Sequence, residues 1–511
     1  MSYLKHRWLV VVGLATTAAV VAAAPGAAEP GSISTGPSTK TPPYVLPSAE
    51  GVHITSLLTV DDAGSASNGY EMVGIPDGLG VRRQGANLVV HMNHELPPDR
   101  GIVRAHGQTG AFVSRLVIDP ETGEVKEGSD FIQPGIQYWD YLTGSYSAVP
   151  NGAGTQHDGD AFPAYDARLG RFCSGTLSAP GLFYDEATGT GFKDQLYFAN
   201  EEVGDEGRVF AVTKDGEAWQ LPRLGLFSWE NTVPAPNQSD TTLVMGDEDG
   251  GSGQVWVYVG TKQRNGSAVD KAGLTNGDDH VIDLVNEAVS TDAQFRAAYG
   301  KGVPAAFDLA ENDWDQSGRD QNIDAAADGL SLNRIEDGHW DPNHPNDFYF
   351  VTTAGGAGPG SGGGGGLWKA SFTDIEQPGL GGTLTLVLDG SEGLYSPDNI
   401  TIDTHGNLLI QEDPGNNPHV SRIMAYRISD NALATVATFD PAQFAAGAPG
   451  FITQDEESSG IIDVEAQTGV AGSFLFDAQV HAAPANNVTE YVERGQLLRL
   501  VVDDWEAVYG G

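Results

Sequence analysis

The residues of this chain best suited to chemistry lie in short polar clusters that close otherwise apolar runs. Asn93-His94-Glu95 ends LVVHM, Asn200-Glu201-Glu202 ends QLYFA, Glu230 sits in LGLFSWEN and Asp247-Glu248-Asp249 ends TTLVMG. Further along come Arg334-Ile335-Glu336-Asp337, Asp398-Asn399, Glu412-Asp413, and Asp477 with His481. Carboxylate oxygens gathered at converging strand ends suit hard cations such as calcium, while imidazole, thiolate and carboxylate together suit iron. A single acid at a strand end is ordinarily turn chemistry or solvated surface. His94 and His481, taken singly, read as ordinary hydrogen-bonding residues. The recurrence of acids at so many strand ends is what points to a shared cation site.

Cys173 is the only cysteine, so the chain forms no internal disulfide; a lone thiol is either a small buried hydrophobe or a protected metal ligand. Asp313, Asp315, Ser317, Gly318 and Asp324 fall at positions of a calcium-loop template, but the last position carries Asp in place of the usual Glu. An irregular acidic loop is therefore expected there. Neither a Gly-x-Ser-x-Gly elbow nor a His-Glu-x-x-His zinc helix occurs in the sequence. If the chain is an enzyme, metals carry its chemistry.

The elements that must position these residues are strands. Runs at 87–91, 112–119, 195–199, 209–213, 243–246, 255–260, 348–353, 383–388, 399–404, 408–411, 423–427, 473–476 and 497–502 have strand composition and are bounded by turn residues. Asp119-Pro-Glu-Thr-Gly123, Thr213-Lys-Asp-Gly216 and Asp403-Thr-His-Gly-Asn407 supply tight turns. Weak strand–turn–strand repetition over this length predicts an all-β chain, a β-propeller with six blades as the working number and with loop and short helical insertions. The best helical pattern is 285–299, and the glycine-rich run 355–366 is a loop without a phosphate-binding lysine.

At the N-terminus, Lys5, His6 and Arg7 precede an apolar, alanine-rich run ending in small residues, which reads as a signal peptide over 1–28. Residues 29–44, rich in Pro, Gly, Ser and Thr, are expected as a flexible leader, with 45–511 as one propeller domain. The expected location is outside the cytoplasm, secreted or periplasmic, and no segment has the apolar length for a membrane span. Lys+Arg number 27 against 69 Asp+Glu, for a net charge of −42. Such a surface repels nucleic acid and anionic lipid and excludes both as partners.

Taken in order, the motifs resemble those of the PhoX-type alkaline phosphatases and their wider propeller family. The matching pieces are Pro76-Asp-Gly-Leu-Gly80, Asn93-His-Glu95, Phe112-Val-Ser-Arg115, Cys173 in FCSG and the pair Glu201-Glu202. They continue with Leu224-Gly-Leu-Phe-Ser-Trp-Glu230, Met245-Gly-Asp-Glu-Asp249, Arg334-Ile-Glu336, and Ser396-Pro-Asp-Asn399 leading into Gly406-Asn-Leu-Leu-Ile410. The resemblance implies a phosphomonoesterase, a hydrolase of small phosphorylated substrates, with calcium and iron at the propeller axis. It assigns Cys173 as an iron-bridging thiolate, Glu95, Glu201, Glu230 and Asp247 as metal ligands, Glu336 as a calcium ligand and Arg334 as a phosphate clamp, with Arg334 and Cys173 central to catalysis. A monomer is expected. The other readings the residues allow are a calcium-only phytase-like or esterase-like propeller hydrolase, and a non-enzymatic calcium-stabilised extracellular binding propeller.

Overall fold

A computed structural model of the chain describes residues 31–157, 159–360 and 363–510; the expected signal peptide lies outside the described residues. The fold is all-β and propeller-like. Six antiparallel four-stranded units follow one another along the chain, each starting at the axis and stepping outward. Their innermost strands are Pro76–Gln84, Phe172–Leu177, Trp229–Pro234, Ile335–Trp340, Pro397–Ile402 and Glu456–Asp463, and each packs against the next until the sixth meets the first. We number the blades 1 to 6 in that order.

Each blade is buried on both faces, so its strands lose the simple alternation of apolar and polar residues. In blade 2, Leu196–Glu201 is buried along its whole length. The core is accordingly divided into interblade layers. Val113 and Phe131 of blade 1 meet Phe172, Tyr197 and Phe210 of blade 2, and Leu243 of blade 3 meets Phe348 and Trp368 of blade 4. Each such buried side chain contributes about 1.5–3 kcal/mol of transfer free energy.

Ring closure mixes the two ends of the chain. The outer strand of blade 6 is Val52–Thr59, paired antiparallel with Arg494–Val502. Blades 3 and 4 are joined through Ala305–Asn312, which pairs with Asp278–Leu284 on one side and Gly382–Leu388 on the other. The segment expected as a flexible leader is partly structured: Ser32–Thr35 pairs in parallel with Val52–Thr59. Just beyond it, Val45–Pro47 adds an edge strand to blade 5.

The helical insertion is shorter than its sequence pattern suggested, confined to Asp292–Ala298. The stretch expected as an irregular acidic loop runs instead into a helix, Gly318–Asp328, with Ser317 as its cap, and Gln316 Nε2 donates to Asp324 Oδ2 at 2.8 Å. Asp313 Oδ1 accepts from Asp315 N at 3.0 Å, and Asp315 Oδ1 accepts from the distant Gln156 Nε2 at 2.9 Å. Among the described residues no helix is long and apolar enough to cross a membrane.

Candidate metal centre

Two positions in the blade repeat decide what lines the axis at the end where the inner strands begin. The first is the second residue of each inner strand: Asp77, Cys173, Glu230, Glu336, Asp398 and Glu457 in blades 1 to 6. The other is the residue just past the end of each second strand: Glu95, Glu202, Asp249, Thr353, Asp413 and His481. Register aligns them, because the first residue of the inner strand pairs with the last residue of its neighbour, as in Pro76 with His94, Phe172 with Glu201 and Trp229 with Glu248. In blades 1 to 5 the ladder slips directly after that first pair. A bulge of this kind re-aims side chains and is common beside active sites.

The entry to the inner strand is strained. Ile75, Arg171, Arg334 and Ser396, each immediately before an inner strand, have φ of 51, 37, 54 and 48°. Left-handed conformations of non-glycine residues cost roughly 1–3 kcal/mol each and gather at functional sites.

Three groups of donors lie close enough together to share an ion, each with atoms within 4.8 Å of one another: Asp77, Glu95 and Cys173; Cys173, Glu202 and Glu230; and Glu230, Glu336 and Asp398. Cys173 and Glu230 each belong to two groups, so the triads form one continuous arc over blades 1 to 5. The Cys173 thiol donates to Asp77 Oδ2 at 3.5 Å, and Ser174 Oγ donates to Glu230 Oε1 at 2.6 Å. Thr353 Oγ1 donates to Glu336 Oε1 at 2.6 Å. Asp77 Oδ1 is buried without a hydrogen-bond partner.

Two arginines and a histidine oppose this negative charge. Arg171 bridges Glu95 and Glu202, with Nη2 2.6 Å from Glu202 Oε2. Arg334 donates to Asp249 Oδ1 through Nε at 2.9 Å and to Asp249 Oδ2 through Nη2 at 3.1 Å, and Nη2 also stands 3.1 Å from Glu336 Oε1. His481 Nδ1 is 2.6 Å from Glu493 Oε2, and Nε2 is 3.6 Å from Glu457. Glu95, Arg171, Asp413, Glu457 and His481 line a cavity of about 500 Å³, together with the apolar Ile75, Pro97 and Val492.

Without bound cations the carboxyls of Asp77, Glu202, Glu230, Glu336 and Asp398 hold their protons strongly. Burial, then the charges of Glu95 and Glu457, pushes Asp77 well up; burial and the charge of Glu95 push Glu202 to about 8. Glu230, Glu336 and Asp398 are raised by burial first and by one another or nearby acids second. The Cys173 thiol is raised by burial and then by Asp77 and Glu230. Burial alone would lower His481, but the carboxylates of Glu457 and Glu493 lift it to about 11 and keep it cationic. Cations placed among these packed like charges would offset both their burial and their mutual repulsion. The donor set fits them: the third triad is all oxygen, as calcium requires, and the first two add a sulfur, which favours a softer transition metal.

Of the residues singled out from the sequence, Glu95, Cys173, Glu230 and Glu336 meet in the arc, with Arg334 beside it. Glu201 and Asp247 do not. Glu201 is the last residue of its strand and turns back into blade 2, where Arg208 Nη2 donates to it at 2.8 Å and Gly170 N at 3.0 Å. Adjacent strand residues face opposite ways, so the axis receives Glu202. Asp247 likewise lies two residues before the axial Asp249 and is fully buried, with neither carboxylate oxygen finding a partner. In blades 1, 2, 5 and 6 that position carries an amide. Asn93 Nδ2 donates to Cys173 O at 2.7 Å, Asn200 Nδ2 to Glu230 O at 3.3 Å, and Gln411 Nε2 to Ser458 Oγ at 2.6 Å, each reaching the inner strand of the next blade. Asp77, Glu202 and Asp398, which complete the triads, were absent from the ligand set drawn from the sequence. The strand-end register would have found them, had the blade period been measurable.

No family model matches the chain, and no curated protein sequence does. Among solved structures, Pseudomonas fluorescens PhoX in complex with vanadate, a transition-state analogue, superposes with a TM-score of 0.61 at 10% identity, covering 92% of this chain and 97% of that one. This likeness is one of fold. The Pseudomonas aeruginosa periplasmic gluconolactonase PpgL (TM-score 0.33, 11% identity, 71% and 85% coverage) and the Clostridium thermocellum exo-β-1,3-galactanase 1,3Gal43A (0.32, 9%, 88% and 62%) are more distant.

Proposed function

We propose that the chain is an exported, metal-dependent phosphomonoesterase that works at the axial end where the inner strands begin. The observation that carries this reading is the coincidence of three linked cation triads with two arginines, beside a cavity that Glu95 and Arg171 line. Asp77, Glu95, Cys173, Glu202, Glu230, Glu336 and Asp398 are the residues that would hold the metals, with iron in the sulfur-containing part of the arc and calcium in the all-oxygen part. Bound cations supply positive charge for the transferring group and acidify a water nucleophile.

The remaining work falls to the chain itself. A phosphate monoester is a dianion approaching a protein of charge −42, so a local reversal of sign is needed for it to bind. Arg334 offers a planar donor fork of the kind that matches phosphoryl oxygens. Its backbone is held by two hydrogen bonds, its N–H to Gly250 O at 2.8 Å and its carbonyl from Thr353 N at 2.9 Å. Ile75, Pro97 and Val492 give the cavity one apolar wall against which the organic part of an ester can lie. That a vanadate complex is known for a protein of the same fold supports phosphoryl transfer over other hydrolytic chemistry.

The test is elemental mass spectrometry of the exported protein, joined to hydrolysis assays on p-nitrophenyl phosphate, a lactone and an aryl glycoside before and after chelation. Hydrolysis of the phosphate ester alone, lost on chelation and regained with metal, is the expected result. Hydrolysis of another substrate, or none, overturns the reading. The all-oxygen triad favours a second reading, a calcium-only hydrolase, in which iron is absent from the purified protein and C173S keeps its activity.

A further inference from the structure

Arg171 and Arg334 occupy the same place in two blades. Each immediately precedes an inner strand, each has a left-handed backbone, and their side chains are 45% and 41% exposed. Their backbones are pinned: Arg171 N donates to Leu96 O and its carbonyl accepts from Glu202 N, both at 2.9 Å. Only the side chains are free to move.

Each guanidinium sits on carboxylates that belong to the cation triads. Arg171 holds Glu95 from the first triad and Glu202 from the second; Arg334 holds Glu336 from the third. The two arginines thus cover one ligand in every triad. A guanidinium and a metal ion on the same buried carboxylates repel each other, and the multivalent ion carries the larger charge.

We propose that Arg171 and Arg334 are displaceable counter-ions, so that cations take over Glu95, Glu202 and Glu336 and the released guanidiniums form an oxyanion site present only in the metal-loaded chain. The inference rests on the metal-dependent reading above and adds an order to it: cations first, phosphate second. The two arginines differ in degree. Arg171 loses both of its partners, whereas Arg334 keeps Asp249, which is in none of the triads. Arg171 is therefore the more completely released.

The experiment titrates calcium, and separately inorganic phosphate, into the chelated full chain and its R171M and R334M variants by calorimetry, with thermal melts of the metal-free proteins. Metal-free R171M melts below wild type, because Glu95 and Glu202 lose their counter-ion, yet binds calcium about tenfold tighter, the scale on which partners of ligands act. R334M shifts in the same direction by less, and carries the test should R171M not fold. Wild type binds phosphate only after calcium or iron is restored, and metal-loaded R171M binds it at least tenfold more weakly. Calcium affinity unchanged or weakened in both variants would make the arginines fixed positioning partners and overturn the proposal, as would phosphate binding to the metal-free wild type. If calcium binding tightens in the variants but the loaded wild type hydrolyses no phosphomonoester, the phosphatase reading fails and the displacement stands.

Discussion

Two shells of acid, one buried and one partly exposed, surround the propeller axis, one residue apart in sequence. Glu201, Glu248 and Glu412 end the second strands of blades 2, 3 and 5 and face into their own blades, whereas Glu202, Asp249 and Asp413 come one residue later and face the axis. The first set is locally satisfied. Glu201 has Arg208; Glu248 Oε2 accepts from Gln254 N at 2.9 Å and Trp256 Nε1 at 2.8 Å; Glu412 has Arg422 and His419. In the second set Glu202 and Asp249 have only the half-exposed Arg171 and Arg334 as counter-ions, and burial raises the proton affinity of Glu202, of Asp413 and of the inner-strand Glu230. Fully partnered buried charge fixes structure, while buried charge left short of partners marks where something else must bind.

The largest effect should come from breaking the satisfied shell. E201A strands the buried Arg208 guanidinium and should cost about 3–5 kcal/mol of stability, read by denaturant unfolding, with metal content per folded molecule unchanged. A selective loss of metal without destabilisation would put Glu201 back among the ligands. On the axial side, C173S and E230Q each remove a donor shared by two triads. Activity on a phosphate ester and bound metal should both fall by more than the roughly 10–100-fold typical of residues that only support a ligand, while the melting temperature of the metal-free protein holds or rises. E202Q should behave likewise, which sets it apart from E201A.

A smaller effect is expected at Arg334. R334A should lower kcat/KM on the order of 10–100-fold, the equivalent of one charge-assisted hydrogen bond of about 1.5–3 kcal/mol, and D249N should reproduce part of that loss.

The pH dependence of the metal-free fold sharpens the comparison further. Glu202 and Glu457 are raised in the folded chain to about 8 and about 7, in both cases chiefly by burial. Unfolding lets them release protons at the ordinary carboxylate pKa of about 4.3, so the unfolded state binds fewer protons across that window. Stability is then full near pH 4 and is lost as pH rises toward 8. Melting temperatures of the chelated protein should fall over that range, and added cations should flatten the slope. A slope that cations leave unaltered would mean that the axial acids are not where they bind.

The smallest change should be stabilising. Asp247 stands where blades 1, 2, 5 and 6 place an amide that donates to the next inner strand, and its oxygens are buried without partners. D247N restores a donor and should raise stability by about 1 kcal/mol, with activity retained. A loss of bound metal in D247N would instead make Asp247 a ligand, as its position in the acidic cluster suggested from sequence.

Strand composition, turn residues and the wide scatter of glycine were enough to read an all-β propeller from the sequence, because those preferences are local. The acid clusters at strand ends were equally legible, and of the residues named as ligands, Glu95, Cys173, Glu230 and Glu336 converge. The choice within each cluster was not legible. Glu201 and Glu202 are chemically identical, and only the register that pairs Phe172 with Glu201 decides which one turns inward. The bulges that follow, and the left-handed residues just before four of the inner strands, do not follow from any local preference of arginine or isoleucine.

What the amino-acid sequence determined by itself was therefore the kind of element, the class of fold and the supply of carboxylates, all of which follow from side-chain chemistry and short-range propensity. The tertiary structure alone decided which carboxylates are left without a partner, because that depends on six strand ends, distant along the chain, being brought to one axis.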